Sequence, residues 1–284
     1  MAEQLRPLYV FGVLFLGGSD GALLTGIVNL HGTAALPVGP VLFRDRHQKH
    51  AKCDTAVMTA LVSQFTPMGF AVGADSLRCD MHGKVVTEKA VKLYSTNHPS
   101  FVGAYGFAGY TAIEYVDQRP MLNILEVGNH VADDLAHVPC AGPKEYVEDF
   151  CQDLAHRIAV ASIGVVLPSK LEFMRAMFVG YHQRRPVRLQ AMFPTVDGAL
   201  QAPRLTELIE APSTFCIASG SQVVWNELSQ QAFQPETLQE AIDFVRSYIA
   251  RCIENTDDPY CSTIGGRPQI ATVTEQGFDW ASRP

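Results

Sequence analysis

From about residue 55 onward, apolar and polar positions fall into blocks with a readable period. Thr59-Ala-Leu-Val-Ser-Gln-Phe65 and Phe70-Ala-Val-Gly-Ala-Asp75 are short apolar runs on either side of Thr66-Pro-Met-Gly69. Pro and Gly stand where a tight turn needs a preset φ and a permissive one, so the pattern predicts a hairpin. The runs 85–86, 91–94 and 100–105 continue in strand style. Helical patterning follows, briefly over 111–117 and then over 121–135, where Leu122, Leu125, Val131 and Leu135 share one side.

The stretch 144–163 is a clearer amphipathic helix. Val147, Phe150, Cys151, Leu154, Ile158 and Ala161 recur at three- and four-residue steps, which aligns them on a single stripe. Strands are predicted again over 173–181, 187–193 and 214–218. Thr237-Leu-Gln-Glu240 then reads as a capping box, in which the Thr hydroxyl and the Glu carboxylate each satisfy an orphan N–H. Behind it Ala241, Ile242, Val245, Ile249, Cys252 and Ile253 form an apolar stripe, and a strand over 269–274 closes the pattern. Helices set between blocks of strands predict an α+β fold, a four-layer α-β-β-α sandwich of two antiparallel sheets.

Composition narrows the function classes. A net charge of −7 argues against an electrostatic nucleic-acid binder, which is usually basic. The seven cysteines are odd in number and none forms C-x-x-C, so neither a disulfide framework nor a cysteine metal site is expected. The histidines lack ligand spacing, and no metal or cofactor is expected. A reducing, cytoplasmic setting is the simplest reading.

Residues 1–57 differ from the rest. The apolar run 8–16 is broken by Gly17-Gly-Ser-Asp-Gly21, well short of the ~20 residues that span a bilayer. A short basic run covers 44–52. This segment reads as an N-terminal extension, a propeptide, or sequence upstream of a start at Met58. The domain proper is 58–284.

Between Thr59 and Gly109 the pattern gathers chemistry. A strand opens on Thr59, the next ends on Asp75, Lys92 lies in Lys89-Ala-Val-Lys-Leu-Tyr94, and Gly103-Ala-Tyr-Gly-Phe-Ala-Gly109 is a glycine-rich bend. Farther on come Ala218-Ser219-Gly220-Ser221 and the pair Gly265-Gly266, preceded by Asp257-Asp-Pro-Tyr-Cys-Ser-Thr-Ile264. In this order and spacing, residues 55–280 resemble a proteasome-type subunit, similar to the β-subunit of the 20S proteasome in the N-terminal-nucleophile hydrolase superfamily.

The resemblance implies a threonine-type peptidase. Thr59 would be the nucleophile, with its own freed α-amine as base. Lys92 would be held by Asp75, Gly106 would supply an oxyanion N–H, and Ser219, Asp258 and Ser262 would complete the site. A threonine hydroxyl is a weak nucleophile without a neighbouring base. A nearby ammonium lowers the pKa of an amine by like-charge repulsion. The resemblance also implies peptide or protein substrates, self-association into a ring or other homo-oligomer, and a separate ATP-dependent unfoldase, since the chain has no Walker A pattern.

Three features depart from the family pattern. Thr59 is internal and follows Met58, where self-processing members carry Gly. Thr55 and Cys53 are competing nucleophiles. The loop before Gly265 is longer, so Asp258 and Ser262 match only approximately. Two further readings therefore stand beside the first, a non-catalytic structural subunit and a small-molecule amidase of the same superfamily.

Overall fold

The computed structural model describes residues 58–115, 121–210, 215–229 and 235–283. Thr55, Cys53 and the whole of 1–57 lie outside the described residues. The described chain is α+β, with antiparallel sheets and four helices. Its principal elements are β1 (Leu61–Thr66), β2 (Gly69–Ala74), β3 (Leu93–His98), β4 (Phe101–Gly109), α1 (Ile124–Leu135), α2 (Pro143–Ala161), β5 (Met174–His182), β6 (Arg185–Phe193), β7 (Arg204–Glu210), β8 (Cys216–Ser219), α3 (Gln222–Ser229), α4 (Leu238–Glu254), β9 (Gln269–Thr274) and β10 (Gly277–Ser282). One sheet runs β8-β1-β2-β9-β10 and a second runs β7-β6-β5-β4-β3.

The hairpin at the start of the domain sets the geometry that matters most. Thr66 pairs with Gly69 across the turn, and Leu61 pairs with Ala74 at the far end. Gly69 has φ +140, which a Cβ would strain, and its position leaves no room for one. Thr66 Oγ1 accepts from Met68 N and donates to Gly69 O, which fixes the turn. Because the register is locked, residue 60 must lie opposite residue 75.

Three apolar clusters follow from the alternation of strand side chains. Leu61, Phe70, Val72 and Ala74 of the first sheet pack with Leu93, Ala104, Met177 and Val179 of the second. The other face of the first sheet, through Val62 and Ala71, meets Val245, Tyr248 and Ile249 of α4. Each fully buried side chain of this size stabilises the fold by about 1.5–3 kcal/mol relative to exposure. On the second sheet, Tyr105, Phe107 and Phe178 meet Phe150, Leu154 and Ile158 of α2.

The capping box at Thr237 forms as expected. Glu240 N donates to Thr237 Oγ1 and Thr237 N donates to Glu240 Oε2. Pro143 opens α2, whose missing N–H costs nothing at that position.

The helix expected over 111–117 is corrected. Ala112–Ile113 is a short strand paired with Leu122–Asn123, and residues 116 and 117 lie outside the described residues. Thr111, Ala112 and Ile113 are buried in succession, a run that does not match the one-sided burial of a surface helix. The same pairing delays α1 to Ile124. Two of the principal strands escaped the sequence pattern. β7 is an edge strand with alternating exposure, and β10 carries Asp279 among its aromatics.

Among the described residues, no helix is long and apolar enough to cross a membrane. They also contain no group of three or more metal-ligating side chains.

Candidate active site

The ends of β1 and β2 and the start of β3 converge on one buried point. Thr59 is 2% exposed, Asp75 0% and Lys92 1%. Alternation explains why. Leu61 faces the second sheet, so Thr59, two residues earlier, lies on the same side. Across the hairpin, Asp75 N donates to Ala60 O and Asp75 Oδ1 accepts from Ala60 N, which carries the register one pair past the strands.

Lys92 Nζ lies 3.1 Å from Thr59 Oγ1 and 3.0 Å from Asp75 Oδ1. The Asp75 carboxylate also accepts from Leu77 N and Gly265 N on Oδ2. Three amides and one ammonium therefore satisfy it, which is what a buried carboxylate needs to remain ionised. Burial pushes the Asp75 carboxyl up and the Lys92 ammonium down, against their mutual attraction. For Lys92 the loss of hydration is the largest influence, opposed chiefly by the charge of Asp75.

The glycine-rich bend expected over 103–109 is corrected: the segment is part of the continuous strand β4, and Gly106 lies within it, opposite Leu93 of β3 and Met177 of β5. A Cβ there would fall 2.8 Å from Leu61 Cδ1 and 3.0 Å from Lys92 O. Glycine thus lets β1 and the Lys92 backbone close on β4.

The other expected residues sit differently. Ser219 closes β8 opposite Leu61 and is half-buried. Asp258 is half-buried, and its Oδ1 accepts from Tyr260 N. Its Oδ2 accepts from Ser221, whose hydroxyl also caps α3 by accepting from Val224 N. Ser262 is exposed, and its hydroxyl donates to Pro259 O within the same turn. The structure therefore brings Thr59, Asp75 and Lys92 together with Gly106 against the Lys92 backbone, and it turns Asp258 toward Ser221 and Ser262 toward solvent.

Three neighbours were not anticipated. Gln269 is fully buried, its Oε1 accepting from Lys92 N and its Nε2 donating to Asp75 O and Ala90 O. It braces the segments that carry the acid and the lysine. Its signal was available, as a polar residue opening an apolar strand just after the glycine pair. Ser76 accepts from Arg267 N and donates to Glu88 O, and a Cβ on Gly266 (φ +73) would meet its Oγ at 2.3 Å. Thr263 accepts from Met58 N at 2.6 Å and donates to Met58 O at 3.2 Å.

No protein-family model and no curated protein matches the chain. Solved structures do. An Anbu (Gly-1) mutant from Hyphomicrobium sp. strain MC1 shares 13% identity at a TM-score of 0.51, covering 79% of this chain and 84% of that one. Anbu (ancestral beta-subunit) from Yersinia bercovieri shares 9% identity at a TM-score of 0.50, covering 78% and 87%. These findings correct the resemblance to the 20S proteasome β-subunit, because solved folds that this chain is similar to include Anbu proteins. The longer loop before Gly265, where Asp258 pairs with Ser221, is one place where the expected pattern and this chain part. At such identities the likeness is one of fold.

Proposed function

We propose that this chain is a threonine-type amide hydrolase acting on peptides, with Thr59 as nucleophile. Its frame is a four-layer α-β-β-α sandwich of the N-terminal-nucleophile type. Thr59 gains its free amine by scission of the Met58–Thr59 bond, or by initiation at Met58 and loss of that methionine. The observation that carries the reading is the placement of Lys92 Nζ within hydrogen-bond reach of both Thr59 Oγ1 and Asp75 Oδ1 in a buried site.

In this reading Lys92, as the ammonium held by Asp75, keeps the Thr59 amine unprotonated, and that amine takes the hydroxyl proton. Asp75 aims Lys92, and the backbone around Gly106 faces the oxyanion. One such oxyanion donor is worth about 2.7–4 kcal/mol in other enzymes. Ser219 lines the approach from β8, while Asp258 and Ser262 shape the loop. The fold likeness to an ancestral β-subunit supports self-association. Free, buried cysteines among the described residues are compatible with a cytoplasmic setting.

A second reading, a non-catalytic subunit, has one observation in its favour, that Thr59 is internal and follows Met58 rather than the Gly of self-processing members. Intact-mass measurement of the purified protein, followed by hydrolysis of peptide amides by wild type and Thr59→Ala, separates the two. The hydrolase reading expects a chain beginning at Thr59 and activity lost in Thr59→Ala. An intact chain without activity, or activity that survives Thr59→Ala, overturns it.

A further inference from the structure

We infer that Thr263 is a catalytic hydroxyl for scission of the chain's own Met58–Thr59 bond, a role that rests on the hydrolase reading above. Thr263 lies in the segment between α4 and β9 and is 5% exposed. Its Oγ1 accepts from Met58 N at 2.6 Å and donates to Met58 O at 3.2 Å. That carbonyl is the acyl group of the peptide bond preceding Thr59. The Thr263 O–H is therefore aimed at the oxygen that becomes negative when a nucleophile adds. On the other side of the same bond, Lys92 Nζ lies 3.1 Å from Thr59 Oγ1.

A single strap aligns both halves. Two residues beyond Thr263, Gly265 N donates to Asp75 Oδ2 at 3.1 Å, and Asp75 holds Lys92. The neighbour Ser262 turns its hydroxyl onto Pro259 O, and Ile264 is buried against the α4 side of the first sheet. Thr263 is thus the hydroxyl of this segment that reaches the scissile carbonyl.

The step balances with groups present. Thr59 Oγ1 passes its proton to neutral Lys92 as the Oγ1–C bond to the Met58 carbonyl forms, and the carbonyl π pair moves to Met58 O, where Thr263 donates. Collapse breaks the C–N bond, and the Thr59 nitrogen takes the proton back from Lys92. Water then hydrolyses the Met58 ester, leaving a Met58 carboxylate and Thr59 with free amine and hydroxyl.

The test follows cleavage of the full chain by intact mass in wild type, Thr263→Val and Thr263→Ser. A second set of full chains carries a recognition site ending at position 58, cut by an added protease and then treated with a peptide epoxyketone, which labels N-terminal threonine. Wild type should release a 59–284 fragment. Thr263→Val should release it about 10²–10³-fold more slowly, the effect of deleting one oxyanion donor. Thr263→Ser should stay within a few-fold of wild type, and cut Thr263→Val should still take the label. Wild-type cleavage speed in Thr263→Val, an uncleaved wild type, a Thr263→Ser as slow as the valine variant, or an unlabelled cut Thr263→Val overturns the inference. Failure of the cut wild type to take the label sinks the hydrolase reading itself.

Discussion

The two halves of the candidate site are built on different supports. Thr59, Asp75, Lys92 and Gly106 sit on or beside paired strands, where register sets which way each side chain points. Asp258 and Ser262 sit in the segment between α4 and β9, where no ladder holds them, and Ser219 is the last paired residue of β8, opposite Leu61. In the strand-borne half, three side chains converge within hydrogen-bond distance. In the loop-borne half, Asp258 turns to Ser221 and Ser262 to its own turn, while Thr263 reaches the Met58 backbone instead. Correct residue types in roughly the correct order make a site only where the backbone leaves them one direction to point.

The strongest way to break that contrast is at Lys92. Lys92→Met should lower peptide-amide hydrolysis by about 10²–10⁴-fold, the usual worth of a positioned acid–base group. It should also destabilise the fold by about 3–5 kcal/mol, because it leaves the buried Asp75 carboxylate without its cation. Combining it with Asp75→Asn should recover much of the melting temperature and none of the activity. Recovery of activity in the double variant would show the pair to be structural.

The same lysine predicts a pH dependence for scission of the Met58–Thr59 bond, in which no α-amine takes part. The reactive form of Lys92 is unprotonated, so the rate should rise with pH. Burial lowers its pKa, opposed chiefly by Asp75, with Cys79 and Arg78 also near. The midpoint should therefore fall below the ~10.4 of an ordinary lysine. A mass-resolved rate profile checks this, and a midpoint at the ordinary value would remove Lys92 as base.

Gly106→Ala comes next in size. The new methyl would press on Leu61, Leu93 and the Lys92 carbonyl, and overpacking of this kind costs about 1–3 kcal/mol. Hydrolysis should fall together with stability, because the backbone carrying Lys92 must move. Thermal unfolding and peptide-amide turnover measured on the same preparation read both effects.

What the sequence revealed follows the same division. The hairpin was legible because Pro67 and Gly69 define a turn and Ala60 must then oppose Asp75. The stripe on α4 was legible because its capping box marks where the period starts. The short strand at 112–113 was not, since two buried residues in a row are too short a run to separate strand from helix by period. The partners of Gln269 and Thr263 were illegible for a different reason. Their roles come from contacts to residues far away in the chain, Lys92 and Met58, and no local period encodes a partner across such a separation.

The smallest effects sharpen the contrast from the loop side. Ser221→Ala removes the cap of α3 and the hydroxyl that Asp258 accepts from, so a loss of about 1 kcal/mol is expected, as for other N-caps. Ser262→Ala touches an exposed hydroxyl bonded within its own turn, and surface changes of this kind usually stay within about 0.5 kcal/mol. Neither should change peptide-amide turnover more than a few-fold, since neither hydroxyl is bonded to Thr59, Asp75 or Lys92. A tenfold loss of turnover in Ser262→Ala at unchanged melting temperature would mean that the turn at 259–262 reopens around substrate. In that case the loop-borne half would join the reacting set only when substrate, rather than a strand ladder, supplies the direction that its side chains lack.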